Sequence, residues 1–184
     1  MLIGPPGVGK STAGEKLAEM LSTTFRDTDA DIEAQSGKPV ADIFIDDGEA
    51  AFRELERTAA TRAISQPDGV VALGSGAILD DQVAEVLAKR AQAVVYLAAD
   101  FTTVAKRAGL DRPRVVLPGN PRGRLRAMLD QRHPRYEALA TITVQADDTA
   151  DPAELAAEIA ARLSDFRNGV LPDSAFRNEG QDVP

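Results

Sequence analysis

The sequence predicts a three-layer α/β/α fold with a five-stranded parallel sheet at its centre. Three observations carry that prediction. Short apolar runs alternate with segments of helical period, the pattern of βαβ units. Two of those runs, residues 70–73 (VVAL) and 93–98 (AVVYLA), are continuously apolar, as strands buried on both faces are. The first run ends in a glycine-rich turn, Gly4-Pro5-Pro6-Gly7-Val8-Gly9-Lys10-Ser11, that leads into an amphipathic helix.

Taken in order, residues 1–3 are the first strand, short for a central one. After Lys10, Ala13, Leu17, Met20 and Leu21 fall on one helical face. Residues 25–28 (FRDT) read as a second strand, and residues 49–64 as a helix with Phe52, Leu55, Ala59 and Ala63 on its apolar side. The third strand, 70–73, stops at Gly74-Ser75-Gly76. Val83, Val86 and Leu87 mark a short helix before the fourth strand, and Asp100 is placed to cap the helix after it. Residues 109–126 mix proline and arginine with few apolar positions, a poor core element and a good flexible lid. Residues 141–145 (TITVQ) are the fifth strand. Asp151-Pro152 then opens a helix that runs through Leu163, with Asp as N-cap and Pro in the first turn. The expected organisation is one domain over residues 1–164 and a disordered tail over 165–184.

Composition narrows the function classes. With 184 residues, 43% hydrophobic and 27% charged, the chain can bury a real core without cross-links. Cysteine is absent, so disulfides, thiolate catalysis and cysteine-bound metals are excluded. The 21 Lys and Arg against 29 Asp and Glu give −8, a poor balance for sequence-independent nucleic-acid binding. No apolar run approaches the roughly 18–20 residues a membrane span needs. Residues 1–4 show neither a basic nor an apolar signal region, so the expected setting is the cytoplasm and the expected state a monomer.

The glycine-rich turn matches G-x-x-x-x-G-K-[ST] at every fixed position. Glycines let main-chain N–H groups curl around phosphate oxygens, and the following helix points its N-terminus at the anion. Lys10 supplies a point charge for the β- and γ-phosphates, Ser11 a hard oxygen for Mg²⁺, and Thr12 a hydroxyl near the α-phosphate. The chain is thus expected to bind ATP or another nucleoside triphosphate with Mg²⁺ in a P-loop NTPase fold. The loop alone leaves kinase, GTPase and ATPase open.

The acceptor side rests on three further features. Asp27-Thr28-Asp29 sits at the C-terminal end of the second strand, where parallel sheets bind ligands. Read as extended, the segment points both carboxylates the same way, one toward the Mg²⁺ water shell and one toward a substrate hydroxyl; Asp27, Asp29 and Asp31 read equally as a helix N-cap cluster. The small residues Gly74-Ser75-Gly76 allow main chain to touch a ligand. Arg53, Arg112 and Arg132 suggest guanidinium clamps for a carboxylate and a phosphoryl group. His133, the single histidine, reads as a loop residue and cannot make a zinc site alone.

GPPGVGKST, DTD, FRELE, LGSGA, DRP and QRHPRY, in this order over about residues 2–163, resemble the shikimate kinases, P-loop small-molecule kinases related to nucleoside monophosphate kinases. The resemblance implies phosphoryl transfer from ATP to the 3-hydroxyl of shikimate, in aromatic amino-acid biosynthesis. It implies that Gly7, Val8, Gly9, Lys10, Ser11 and Thr12 hold the phosphates, with Mg²⁺ on Ser11 and Asp27. Asp29 would bind the shikimate hydroxyls and act as base, with Lys10 and Arg112 stabilising the transferring group. Arg53 and Arg132 would clamp the carboxylate, Gly74, Ser75 and Gly76 would contact a ring hydroxyl, and Phe44 and Phe52 would wall the ring. Arg107 would lie near the adenine, and Glu56 would orient Arg53 from one helical turn away.

Two departures stand out: serine in the middle of the glycine run, where a positive φ would cost on the order of 1 kcal/mol, and Ala146-Asp147-Asp148-Thr149 after the last strand, to which no ATP contact is assigned. The alternatives are a gluconate or nucleoside monophosphate kinase, or a non-catalytic nucleotide switch; the guanine-reading Asn-Lys-x-Asp tetrad is absent, which counts against a GTPase.

Overall fold

The computed structural model describes residues 1–110, 120–147 and 151–170. Five strands, β1 (Leu2–Ile3), β2 (Phe25–Asp27), β3 (Val70–Ala72), β4 (Val95–Ala98) and β5 (Ile142–Gln145), form one sheet in the order β2-β3-β1-β4-β5. Every neighbouring pair is parallel, and β1 is central. Its two residues suffice because both are buried and paired with β4, and Leu2 also pairs with Ala72 of β3.

The period of two along the strands sorts their side chains into two cores. Leu2, Val70, Val95, Leu97, Ile142 and Val144 face α1 (Lys10–Met20) and α8 (Pro152–Arg167). Ile3, Val71, Val94 and Tyr96 face the opposite layer. That layer holds α4 (Gly48–Ser65), α5 (Asp81–Arg90) and α7 (Pro121–Leu139), which bury Ala60, Ala63, Ile64, Val83, Leu87 and Tyr136. Asp100 caps α6 (Phe101–Arg107) by accepting from Thr103 N–H at 2.6 Å, and Asp151 caps α8 by accepting from Ala153 N–H at 2.7 Å, as the sequence indicates.

Four expectations are corrected. The segment after β2 is not extended: Thr28 begins α2 (Thr28–Ser36), and the Asp27 carboxylate caps it by accepting from Asp29 N–H at 2.9 Å. A further helix, α3 (Val40–Asp46), precedes α4; Ile32, Ile43, Phe52 and Ala59 form a small core beneath this corner. The lid reaches too far: residues 121–126 are the first turns of α7, started by Asn120, whose side chain accepts from Gly123 N–H at 2.8 Å. The helix predicted to end at Leu163 continues to Arg167, into the predicted tail. Most of the predicted lid, with Arg112, and residues 171–184 lie outside the described residues. Among those described, no helix is long and apolar enough to cross a membrane.

Candidate active site

All the groups predicted for the site, apart from Arg112, meet at the C-terminal edge of the sheet. On one side the turn after β1 is shaped by glycines. Gly7 and Gly9 have φ of 71° and 99°, and Gly9 starts α1 with no side-chain cap, so the first amides of the helix face outward without a side-chain partner. A Cβ on Gly4 would lie 2.6 Å from the Leu97 carbonyl oxygen of β4, so the turn is pressed against the sheet. Lys10 Nζ donates to the carbonyls of Gly4 and Pro5, each at 3.0 Å, across the mouth of the turn. Burial pushes the Lys10 ammonium down to about 8, reinforced by Arg132 and opposed by Asp29 and Asp27. This is a charge held ready for an anion.

Arg107 is held by main chain. Its Nη1 donates to the carbonyls of Val8 at 2.6 Å and Gly7 at 3.4 Å, while Nη2 donates to the carbonyl of Asp147 at 2.8 Å. In this arrangement it ties the turn to the segment after β5. Thr12 Oγ1 donates to Gly9 O at 3.4 Å.

Between the two sides, Ser11 Oγ donates to Asp27 Oδ2 at 2.5 Å. The cap and the carboxylate roles expected of Asp27 therefore coexist: Oδ1 caps α2 while Oδ2 meets the serine. Asp29, in the first turn of α2, has an Oδ1 that is buried and without a hydrogen-bond partner. Burial first, then the Asp27 and Glu56 carboxylates, raise its carboxyl to about 6, with Lys10 partly opposing. A carboxylate that titrates just below neutrality suits proton abstraction.

On the acceptor side Arg53 lies against the rings of Phe44 and Phe52, 5.8 and 5.3 Å from their centroids, and those rings are themselves 4.4 Å apart. Its Nη1 pairs with Glu56, and its Nη2 with Glu49 at 3.2 Å. Burial works against the Arg53 charge, but the two carboxylates outweigh it. Arg132, on α7, is 9% exposed and has a buried Nε with no partner. Its Nη1 lies 3.4 Å from the Ser75 carbonyl and 3.3 Å from the Ser75 hydroxyl. Two guanidinium groups beside the glycine turn have the chemistry to hold the carboxylate of a small acid.

The sequence reading missed several parts of this frame. Glu56 was paired with Arg53, but it is also buried and accepts from Gly76 N–H at 3.1 Å. Thr28, fully buried, accepts from Gly74 N–H at 2.8 Å and so fixes the glycine turn to the start of α2. Gly74 and Gly76 are required by close approach: a Cβ on the first would meet Glu56 at 2.6 Å and Asp29 at 2.7 Å, and one on the second would strike Arg53. Tyr136 donates to the Ser75 carbonyl at 2.6 Å. His133 is helical rather than in a loop, and its Nδ1 lies 2.8 Å from Tyr96 OH. The positive φ that would strain serine is also not there: among the described residues Ser22 is the non-glycine with positive φ.

Comparisons with known proteins give the family. A family model described as shikimate kinase matches residues 6–164. A shikimate kinase of Thermobifida fusca is 51% identical over 163 residues, covering 89% of this chain and 93% of that protein. One of Salinispora arenicola is 48% identical over 164 residues, covering 89% and 96%. A solved shikimate kinase of Acinetobacter baumannii, in complex with shikimate, superposes with a TM-score of 0.80 at 33% identity, covering 90% of this chain and 92% of that one.

Proposed function

The chain belongs to the shikimate kinase family, and on that premise we propose how its residues divide the work of moving the γ-phosphoryl group of ATP to the 3-hydroxyl of shikimate. The products are shikimate 3-phosphate and ADP. The observation that carries this reading is the buried Asp29 Oδ1 without a hydrogen-bond partner, at the start of α2 and against Gly74 of the acceptor-side turn.

The main chain of Gly7, Val8 and Gly9 and the first turn of α1 hold the β- and γ-phosphates, with Thr12 near the α-phosphate. Lys10 exchanges its two carbonyl contacts for phosphate oxygens. Ser11 and Asp27 fit Mg²⁺: two hard oxygens lie beside the loop, and among the described residues no cluster of three or more His, Asp or Glu competes for a cation. That suits an ion that keeps water and phosphate in most of its shell. When bound, Mg²⁺ supplies charge neutralisation at the phosphoryl oxygens.

Arg53 and Arg132 hold the shikimate carboxylate. Phe44 and Phe52 wall the ring, and the main chain of Gly74, Ser75 and Gly76 contacts a ring hydroxyl. The 3-hydroxyl then faces Asp29, which takes its proton as the oxygen attacks the γ-phosphorus and the bond to ADP breaks. Arg112, expected to stabilise the transferring group, lies outside the described residues. Arg107 acts first as a strut for the loop, with adenine contact through its outer face. The expected state is a monomer in the cytoplasm acting on these two small molecules, without nucleic-acid or membrane partners.

The test is ADP release by the purified chain with Mg²⁺ and ATP. Shikimate is expected to raise the rate by orders of magnitude over gluconate, nucleoside monophosphates or no acceptor. Equal rates with and without shikimate would overturn the reading.

A further inference from the structure

The middle residue of the Gly74-Ser75-Gly76 turn escapes the constraints on its neighbours. Added Cβ atoms at 74 and 76 would collide with Glu56, Asp29 and Arg53, whereas position 75 already carries a side chain and has no positive φ. That side chain has a specific partner. The Ser75 hydroxyl receives Arg132 Nη1 at 3.3 Å, beside the Ser75 carbonyl, which receives the same nitrogen at 3.4 Å and the Tyr136 hydroxyl at 2.6 Å. On the other side of the same guanidinium, Nε is buried and has no hydrogen-bond partner.

A guanidinium offers two edges for bidentate contact with a carboxylate, and they are not equivalent. With Nη1 tied to the turn, the Nε–Nη2 edge remains. We propose that the Ser75 hydroxyl is a positioning residue that fixes the rotation of the Arg132 guanidinium, so that the Nε–Nη2 edge meets the acceptor's carboxylate. This rests on the reading of Arg132 as a carboxylate clamp. Glycine at 75 would keep the carbonyl contact alone, and the guanidinium would turn more freely about its last bonds. Alanine would do the same without the added backbone freedom. Tyr136 holds the Ser75 main chain in either case, so the turn itself persists.

The test is steady-state kinetics of Ser75→Ala and Ser75→Gly against the parent enzyme, with shikimate and with its methyl ester. The expected result is a rise of about five- to tenfold in the KM for shikimate, with kcat within about twofold and the KM for ATP unchanged. The ester, which lacks the charge that Arg132 reads, should lose almost nothing. In an Arg132→Lys background, Ser75→Ala should add no further loss, because the geometry it maintains is already gone. An unchanged KM for shikimate in both variants would overturn the proposal. An equal loss on the ester, or a full additional loss in the Arg132→Lys background, would overturn it too, since Ser75 would then act on the ring directly. These outcomes are separate from failure of the functional reading, which would show as a parent enzyme without shikimate-dependent turnover and would remove the proposal with it.

Discussion

On the phosphate side of the cleft the working groups are main-chain amides and carbonyls from residues 4–12, among which Lys10 is the charged side chain. On the acceptor side they are side chains from α2, α4 and α7, meeting at the glycine turn after β3: Asp29, Arg53, Glu56 and Arg132. The first region is built mainly by local backbone geometry, to which Lys10 and Ser11 add a charge and a hydroxyl. The second depends on buried charges that cancel one another, so removing one leaves another without compensation. The phosphate half gives a binding site that many reactions can use, and the acceptor half selects the substrate.

The largest expected effect lies at the junction of the two. Asp29→Asn should lower kcat by roughly 10²–10⁴-fold while making the protein more stable at neutral pH. The sign follows from the raised carboxyl, which holds its proton more tightly folded than unfolded. That contribution is present in full below about pH 4, the unfolded value, and is lost as pH rises through about 6, so at pH 7 the ionised group is a cost. The amide removes that cost, for a gain on the order of 1–2 kcal/mol. Thermal denaturation should show the gain at pH 7 and none near pH 4; destabilisation at pH 7 would contradict it. In the parent enzyme, kcat/KM should fall on the acid side with a midpoint near 6.

Next in size is Arg53→Ala. It strips Glu56 of its buried partner and removes half of the clamp, so the KM for shikimate should rise on the order of a hundredfold, with the KM for ATP little changed. A loss shared equally between the two substrates would erase the division drawn here. Gly76→Ala should follow, at about tenfold in the KM for shikimate and roughly 1–3 kcal/mol in stability, because its methyl displaces the Arg53 guanidinium. A neutral result in both measurements would show that the turn relaxes freely.

The smallest effect sharpens the phosphate half. Lys10 is lowered to about 8 by burial, and a triphosphate beside it should restore its proton affinity. Calorimetry of ATP binding near pH 8, in buffers of different ionisation enthalpy, should therefore report uptake of a fraction of a proton. No uptake would mean that Lys10 does not reach the phosphates.

The same contrast explains what could be read in advance. The phosphate loop is contiguous, and its neighbours announce themselves by period, so β1, the loop and α1 were legible. So were the buried strands and the caps at Asp100 and Asp151. The helix α2 was not, because it buries only Thr28 and Ile32 and its first residues look like a polar turn. The helix α7 was hidden too: it contains Pro134, and its buried residues are Arg132 and Tyr136, which face the site and the turn after β3 in place of an apolar stripe. Local pairing placed Glu56 beside Arg53, but its bond to Gly76, 20 residues away, exists only once β3 and α4 are packed. Acceptor-side chemistry was visible as residue types and invisible as geometry, because the fold alone brings those segments together.

A crystal structure of the full chain with Mg²⁺, ADP and shikimate tests the central claim most directly. The account predicts the phosphates in the amide cradle of residues 4–12, the shikimate carboxylate between Arg53 and Arg132, and the 3-hydroxyl within hydrogen-bond distance of Asp29. A carboxylate bound away from both arginines, or a 3-hydroxyl turned from Asp29, would contradict it.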